Sequence, residues 1–148
     1  MHLHQMQTCP FIKDGISSCT FKNTGQTHLI KQTITCASKN LICMIQCRKC
    51  KTNTPAEYIR QTKRASRDRF GEHRRAIQNK TDDAVPQHFN QPGHQLKDIE
   101  FIPLELFKTK RESIRGARER FYIEKTQTMQ PRGINREDDY SSRWRRKP

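Results

Sequence analysis

A chain of 148 residues is long enough for one folded domain and short for two. Only 32% of its residues are hydrophobic and 30% are charged, so the core must be small and part of the chain is expected to stay unfolded. The formal net charge of +14 favours a polyanionic partner, nucleic acid before an acidic membrane, although a basic surface that is merely solvated would give the same balance.

No apolar run approaches the roughly 20 residues that a membrane span needs. The N-terminal stretch MHLHQMQTCPFIKD lacks the apolar block of a signal peptide, so we expect a protein that is neither in a membrane nor secreted. Six cysteines in such a chain are better explained as thiols than as a disulfide framework. Metal binding, core packing and no role at all stay open for each of them.

Residues 1–35 form a polar, cysteine-containing lead-in, in which short strands are plausible around 26–35 because β-branched and polar residues alternate. The run LICMIQC, Leu41–Cys47, is continuous and apolar, which predicts a buried central strand. A break at 53–55 is followed by EYIRQ, residues 57–61. We expect this second strand to pair antiparallel with the first.

A helical pattern follows from residue 63 to about residue 78, with Thr62 as a possible N-cap. Spacings of four, three and four define its inner face, which contains Ser66, Phe70, His73 and Ile77. The stretch 80–93 has the proline, glycine and aspartate content of a loop.

IEFIPLEL, Ile99–Leu106, is expected to be a third strand, and its Pro103 favours a sheet edge or a strand end. A second helix is predicted over 110–128. Its predicted inner stripe consists of Ile114, Ala117 and Phe121.

The order strand, strand, helix, strand, helix predicts a small α/β sandwich with a central three-stranded, largely antiparallel sheet flanked by helices. We expect three regions along the chain: the lead-in 1–35, a folded domain 36–135 and a disordered basic tail 136–148.

Cys47 and Cys50 form a C-x2-C pair, and His88 and His94 follow further along. Two thiolates at this spacing can reach one tetrahedral ion from a single turn, and two histidines can complete a Cys2His2 site. The pattern predicts a zinc-stapled insertion. Without metal, Cys47 would be a buried strand residue and Cys50 an ordinary turn thiol.

A second group, Tyr58, Arg69, His73 and Glu119, contains the residue types that phosphodiester hydrolysis needs. That reaction requires a group to activate water, a cation to neutralise charge on the phosphate, and commonly a carboxylate that holds a divalent metal. Each residue also has an ordinary explanation. Tyr58 could be a half-buried strand residue and Arg69 a surface charge on the helix. His73 could be an imidazole beside the core, and Glu119 could form an ion pair with Arg115 one turn earlier.

Basic residues are dense along the first helix and again in the tail around Trp144. Arginine beside an aromatic ring suits phosphate contact and base stacking, although a solvated helix face and a flexible tail would look the same. The candidate nucleic-acid-binding residues are Arg64, Arg67, Arg74 and Arg75, beside Arg69. The tail adds Arg143, Arg145, Arg146 and Lys147.

Three stretches in this order, YIRQTKRASRDRFGEHRR, PQHFNQPGH and ARERFYIEKTQTMQPRGIN, resemble the GIY-YIG endonuclease domain in the form found in Penelope-like retroelements. The resemblance covers residues from about 36 to 135. LICMI resembles the strand of the family's first motif, and YIR resembles the second. The resemblance therefore implies a DNA endonuclease domain derived from a retroelement.

The resemblance also implies site roles. Tyr58 matches the second-motif tyrosine, Arg69 the arginine that contacts the scissile phosphate, and His73 the histidine one turn later. Glu119 matches the carboxylate that binds Mg²⁺ or Mn²⁺, and Asn135 the asparagine that closes the domain. The four residues of a structural zinc site would be Cys47, Cys50, His88 and His94. The implied partners are DNA and a reverse transcriptase of the same element, in the nucleus.

Four positions depart from the family's pattern. Cys43 stands where the first motif ends in tyrosine, and a thiol cannot act as the phenol would. Arg60 replaces the second-motif glycine, Gln61 the acid after it, and Ser66 the helix leucine, while TNTP lengthens the turn before Tyr58. We expect a copy whose nuclease activity is weakened or lost. The alternative is a non-catalytic, zinc-stabilised basic nucleic-acid-binding module.

Overall fold

The computed structural model describes residues 16–51, 54–109 and 111–136. The predicted tail beyond Arg136, with its arginine cluster, and the first part of the lead-in lie outside the described residues. Among the helices of the described chain, none is both long enough and apolar enough to cross a membrane. The elements are, in order, β1 (Ser18–Thr20), β2 (Thr27–Leu29), β3 (Leu41–Cys47), β4 (Glu57–Thr62), α1 (Ser66–Gln78), α2 (Ala84–Phe89), a 3-10 turn (Leu96–Asp98), β5 (Ile99–Leu106) and α3 (Glu112–Thr126).

The predicted α/β fold with a central three-stranded antiparallel sheet is confirmed. β3 is the middle strand, in the order β4-β3-β5, and pairs antiparallel with both neighbours. Its apolar run is continuous because both of its faces are covered. Pro103 lies on the edge strand β5, opposite Cys43 and next to a β-bulge, and sheets tolerate proline at such positions.

Alternation along the strands produces two cores, one on each face of the sheet. On one face α1 and α2 cover β3; the residues of this core include Cys43, Ile45, Cys47, Tyr58, Phe70, Ile77, Val85 and Phe89. On the other face α3 and the lead-in cover it; the residues of this core include Phe21, Ile30, Ile42, Met44, Ile59, Tyr122 and Ile123.

The described part of the lead-in forms an antiparallel hairpin, β1 with β2, that packs against the second core. The strand within 26–35 is shorter than the predicted window and covers only Thr27–Leu29. Phe21, just after β1, is completely buried. Residues from 16 onward therefore contribute to the same hydrophobic core as the central sheet.

The predicted inner face of α1 is confirmed, since Ser66, Phe70, His73 and Ile77 are all buried. The predicted N-cap is wrong: α1 begins after Ala65, and Thr62 is still in β4. The N–H groups of its first two residues are instead satisfied from a distance, by carbonyls of the segment just before β3. Ser66 N donates to Ser38 O at 3.0 Å, and Arg67 N donates to Cys36 O at 2.9 Å.

Two further expectations are corrected. The stretch 80–93 contains the short helix α2, which tolerates Pro86 because its first turn needs no internal N–H donor. The inner stripe predicted for α3 is wrong: Ile114 and Phe121 are 39% and 42% exposed, and Ala117 is exposed too. The buried face of α3 instead carries Arg115, Gly116, Glu119, Tyr122, Ile123 and Thr126.

The polar face of α3 points into the protein because it lies along the edge of β4, where backbone N–H and C=O groups need hydrogen-bond partners. Gln61 N donates to Glu119 Oε2 at 2.7 Å. Ile59 N donates to Asn135 Oδ1 at 2.9 Å, and Asn135 Nδ2 donates back to Ile59 O at 3.0 Å. Glu119 and Asn135 therefore close the sheet edge with side chains, which a purely apolar helix face could not do.

Candidate metal centre and arginine-lined cleft

The predicted Cys2His2 group is brought together. Cys47 ends β3, Cys50 follows in the turn, His88 lies in α2 and His94 in the loop after it. Their ligand atoms all lie within 4.8 Å of one another. Cys50 Sγ is 3.5 Å from His88 Nε2 and 3.3 Å from His94 Nε2, close to the roughly 3.5 Å that separates S and N ligands around tetrahedral zinc.

The protonation state of His88 suits a structural ion, and that of Cys50 makes metal binding depend on pH. Burial and the neighbouring His94 lower the pKa of His88 to about 4, so its imidazole is neutral and its lone pair is available. Burial and the adjacent Cys47 raise the pKa of Cys50 to about 11. A bound metal would displace that proton, so the affinity for metal must fall as the pH falls. The donor set therefore fits zinc.

The turn that carries the thiols is fastened to other parts of the chain. Lys22 Nζ, from the lead-in, donates to Cys47 O at 2.5 Å and to Cys50 O at 2.7 Å. Lys49 Nζ bonds to Gly93 O, which joins the thiol turn to the loop that carries His94. Such support outside the ligand set holds the donor atoms in place.

A cleft of about 430 Å³ opens at the end of β4 and the beginnings of α1 and α3. Five of its eight lining side chains are cationic and one is a carboxylate. It therefore has the charge of a phosphate-binding site. The lining residues are Arg60, Gln61, Thr62, Lys63, Arg64, Arg69, Glu112 and Arg115.

The cations of the cleft are held in fixed positions. Buried Arg115 donates through Nε to Gln61 Oε1 at 2.9 Å and through Nη1 to Asn40 Oδ1 at 2.6 Å. Glu72 accepts from Arg69 Nη1 at 3.2 Å and forms an ion pair with Arg64. One carboxylate thereby joins two guanidinium groups that line the cleft, which favours a defined geometry for both.

Tyr58 and His73 lie together behind Arg69. Their rings meet edge to face with centroids 6.1 Å apart. Arg69 lines both the cleft and a smaller cavity of about 200 Å³ that His73 also lines. His73 Nε2 is buried and has no hydrogen-bond partner among the described residues.

The buried His73 should make stability depend on pH. Burial, and then the charges of Arg69 and Arg60, lower its pKa to about 3, against about 6.5 in the unfolded chain. Between these values the unfolded state binds a proton that the folded state does not. Stability from this group is therefore complete above about pH 6.5 and falls by up to about 1.4 kcal/mol per pH unit below it.

This dependence can be measured by urea unfolding of the zinc-loaded protein at about pH 7 and about pH 5.5. His73→Gln should flatten the dependence by about 1 kcal/mol over that interval. Equal slopes for the wild-type protein and His73→Gln would contradict the assignment.

Two departures from the family's pattern face each other across the sheet. Cys43 on β3 is directly opposite Arg60 on β4, and Cys43 Sγ donates to Arg60 O at 3.3 Å. Burial raises the pKa of Cys43 to about 12, so the thiol is neutral near pH 7 and cannot accept a proton from water. The side chain of Arg60 leaves the strand on the same face as Tyr58.

Glu119, the residue expected to hold Mg²⁺ or Mn²⁺, has other partners. Its Oε2 accepts from Gln61 N, and Arg60 Nε is 4.0 Å from the same oxygen. Within the described residues, the Cys2His2 group is the one cluster of three or more His, Cys, Asp or Glu side chains suited to a metal. A divalent ion at Glu119 would lie against the Arg60 guanidinium, and like charges repel at that distance. In its present position, the Glu119 carboxylate is suited to binding a guanidinium group and not to binding a divalent ion.

The remaining candidates are distributed around α1. Arg64 lines the cleft, but Arg67, Arg74 and Arg75 do not. At about 100° per residue, Arg67 and Arg74 flank the buried face of α1 on the side opposite Arg69. Their predicted contact with nucleic acid stays a prediction.

Sequence reasoning missed Lys63 and Arg115 as cleft residues. Arg115 lies four residues before Glu119, so helical spacing places both on one face, and that spacing was the available signal.

Comparisons of the chain with models of protein families, with curated proteins and with solved structures find no match.

Proposed function

We propose that the chain is a GIY-YIG-type DNA endonuclease domain of retroelement origin that binds the DNA backbone in its arginine-lined cleft and whose phosphodiester hydrolysis is weakened. The observation that carries this proposal is the convergence of Arg60, Arg64 and Arg69 on one cleft, with Tyr58 and His73 directly behind it. Motif resemblance supplies the reaction class, and the charge of the cleft supports the substrate class.

A phosphate in the cleft would be bound by guanidinium groups, which form strong charge-assisted hydrogen bonds to its oxygens. Arg69 is the residue that would neutralise charge developing on the phosphorus oxygens, since it reaches from the cleft to the Tyr58 and His73 pair. Neutral His73 can accept a hydrogen bond at Nε2, which suits the positioning of an attacking water, while its low pKa makes it a poor base.

Hydrolysis is weakened for two reasons in this proposal. Cys43 offers a neutral thiol in place of a phenol. Arg60 occupies the approach to Glu119, so a divalent ion would have to displace it. The resemblance assigns Glu119 to metal binding, and the present partners of that carboxylate oppose this role.

A second candidate is a zinc-stabilised basic module that binds nucleic acid without cutting it. The contact between Arg60 and Glu119 favours it specifically, because a carboxylate compensated by arginine can serve the sheet edge alone. Zinc at the Cys47 group would give this module its stability.

Binding should depend steeply on salt. We expect log affinity for a short DNA duplex to fall linearly with log salt concentration, and Arg69→Ala to weaken binding about tenfold and to reduce the slope by about one. The matched control is Lys125→Ala at the far end of α3, about 15 Å along the helix from Arg115, which should change affinity less than about twofold. A flat salt response would overturn electrostatic binding in the cleft.

Plasmid nicking separates the two candidates. Zinc-loaded protein in buffer with Mg²⁺ or Mn²⁺ should nick supercoiled plasmid slowly, and Arg69→Ala should abolish the nicking. Glu119→Gln keeps an acceptor for Gln61 N while it removes the charge, so it is a cleaner variant than Glu119→Ala. Nicking that persists in Glu119→Gln would remove Glu119 from the chemistry.

The proposal also includes a reverse transcriptase of the same element as partner, because a nick leaves a DNA end from which synthesis can begin. It places the protein in the nucleus, with its substrate. Co-purification with a polymerase encoded beside this chain, compared between wild type and the Arg69→Ala variant, tests the partner.

A further inference from the structure

A second cavity of about 440 Å³ adjoins the cleft. Lys63 and Arg115 line both, so the two form a continuous surface. The charged side chains that line the second cavity are all cationic. Its lining consists of Lys39, Asn40, Lys63, Phe107, Lys108 and Arg115.

This cavity is built around Asn40. Asn40 adopts a left-handed backbone conformation with φ 67°, which asparagine tolerates better than most residues. Its carbonyl accepts from Phe107 N at 2.9 Å, and its Nδ2 donates to Phe107 O at 2.8 Å and to Thr109 O. Its Oδ1 accepts from Arg115 Nη1. One side chain thus holds the starts of β3 and α3 and the end of β5 together.

Phe107 is the aromatic side chain in the lining of this cavity. It is half-buried, packed at the border of the second core, and its backbone is fixed by Asn40. A ring held in this way offers a rigid surface for stacking, and the lysines around it suit phosphate oxygens. The volume lies within the range of pockets that take small organic ligands.

We infer that this cavity is a subsite for one unpaired nucleotide adjoining the phosphate in the cleft, with its base on Phe107 and its phosphate on Lys39, Lys63 or Lys108. The inference rests on the proposed function, which puts the neighbouring phosphate beside Arg69. A base inside a duplex is already stacked on both faces, so Phe107 can stack on an unpaired base but not on a base inside the helix. The domain therefore favours DNA with an unpaired end or a junction over blunt duplex.

Binding of the zinc-loaded full chain to three DNAs tests this: a blunt duplex, the same duplex with a short single-stranded overhang, and that overhang made abasic. We expect the overhang to bind about tenfold more tightly than the blunt duplex, and the abasic overhang, which has the same charge, to lose most of that gain. Phe107→Leu should remove the preference for the overhang and leave blunt-duplex affinity unchanged.

Phe121→Leu is the matched control, since Phe121 is an exposed phenylalanine on the outer face of α3. Unchanged zinc content and circular dichroism establish that Phe107→Leu is folded. An abasic overhang that binds as tightly as the normal one would overturn the subsite, and so would equal losses on all three DNAs in Phe107→Leu.

The experiments can disprove the nucleotide subsite and the phosphate-binding cleft independently of each other. If Arg69→Ala weakens binding to every DNA and Phe107→Leu weakens none, the proposed function stands and the subsite is wrong. If Phe107→Leu lowers overhang affinity while Arg69→Ala changes nothing, nucleotide binding at Phe107 stands and the cleft is not the phosphate site.

Discussion

Loss of zinc is expected to unfold a large part of the protein. Structural zinc contributes on the order of 10 kcal/mol to small zinc domains, which rivals the roughly 5–15 kcal/mol that stabilises a whole domain. Cys47 is completely buried at the end of the central strand and belongs to the first core. Without an ion, two thiols and two imidazoles would be left close together, and the loop carrying His94 would lose its ligation to the thiol turn.

Cys47→Ser combined with Cys50→Ser should lower the zinc content from about one ion per chain to none. The midpoint of thermal unfolding should fall on the order of 20 °C, and a chelator should do the same to the wild-type protein. Metal analysis and circular dichroism measure both.

Cys19→Ser is the matched control. Cys19 is a partly buried thiol in the lead-in hairpin, outside the metal group, so zinc content should stay unchanged in that variant. Full zinc content in the double variant would place the ion elsewhere. A chelator that removes zinc without lowering the unfolding midpoint would show that the site is not structural.

The sequence predicted the parts of this fold that depend on local periodicity. An unbroken apolar run defined Leu41–Cys47 as the central strand, and the spacing of Phe70, His73 and Ile77 defined the inner face of α1. The Cys-x2-Cys pair with two later histidines defined the metal group, because ligand chemistry restricts which residues can converge.

Two of the incorrect expectations, the cap of α1 and the inner face of α3, share a physical cause, which is a long-range contact that replaces a local signal. Carbonyls of Cys36 and Ser38, distant in the chain, satisfy the first two N–H groups of α1, and Thr62 does not serve as its cap. The edge of β4 requires hydrogen-bond acceptors, so α3 turns Glu119 inward and leaves Phe121 outside. Apolar spacing along α3 indicated the wrong face, because hydrogen bonds to a strand edge decided the packing.

On the proposed function, introducing two residues of the GIY-YIG pattern should raise nicking activity about a hundredfold, the order of magnitude that a positioned acid–base group contributes. The variant is Cys43→Tyr combined with Arg60→Gly. Arg60→Gly removes the cation beside Glu119, and Cys43→Tyr supplies a phenol on the face that holds Tyr58 and His73. The rate of plasmid nicking in Mg²⁺ or Mn²⁺ buffer measures the gain.

The two changes need each other for a steric reason. Cys43 is almost completely buried, so tyrosine alone would overpack the core, at a cost of about 1–3 kcal/mol. Arg60 is its cross-strand partner, and glycine there opens the space. We therefore expect Cys43→Tyr alone to lower the unfolding midpoint, and Arg60→Gly alone to weaken DNA binding while it raises nicking only slightly. A positive double variant would then be more than additive.

Glu119→Gln in the restored background is the decisive control. If Arg60 suppresses the reaction by neutralising Glu119, then removing the negative charge of Glu119 must abolish the gained activity. The glutamine still accepts the hydrogen bond from Gln61 N, so the edge of the sheet is kept. A restored variant that folds, retains zinc and binds DNA but does not nick would favour the non-catalytic module. Arg60 would then be a structural ion-pair partner of Glu119, and the cleft would bind DNA without cutting it.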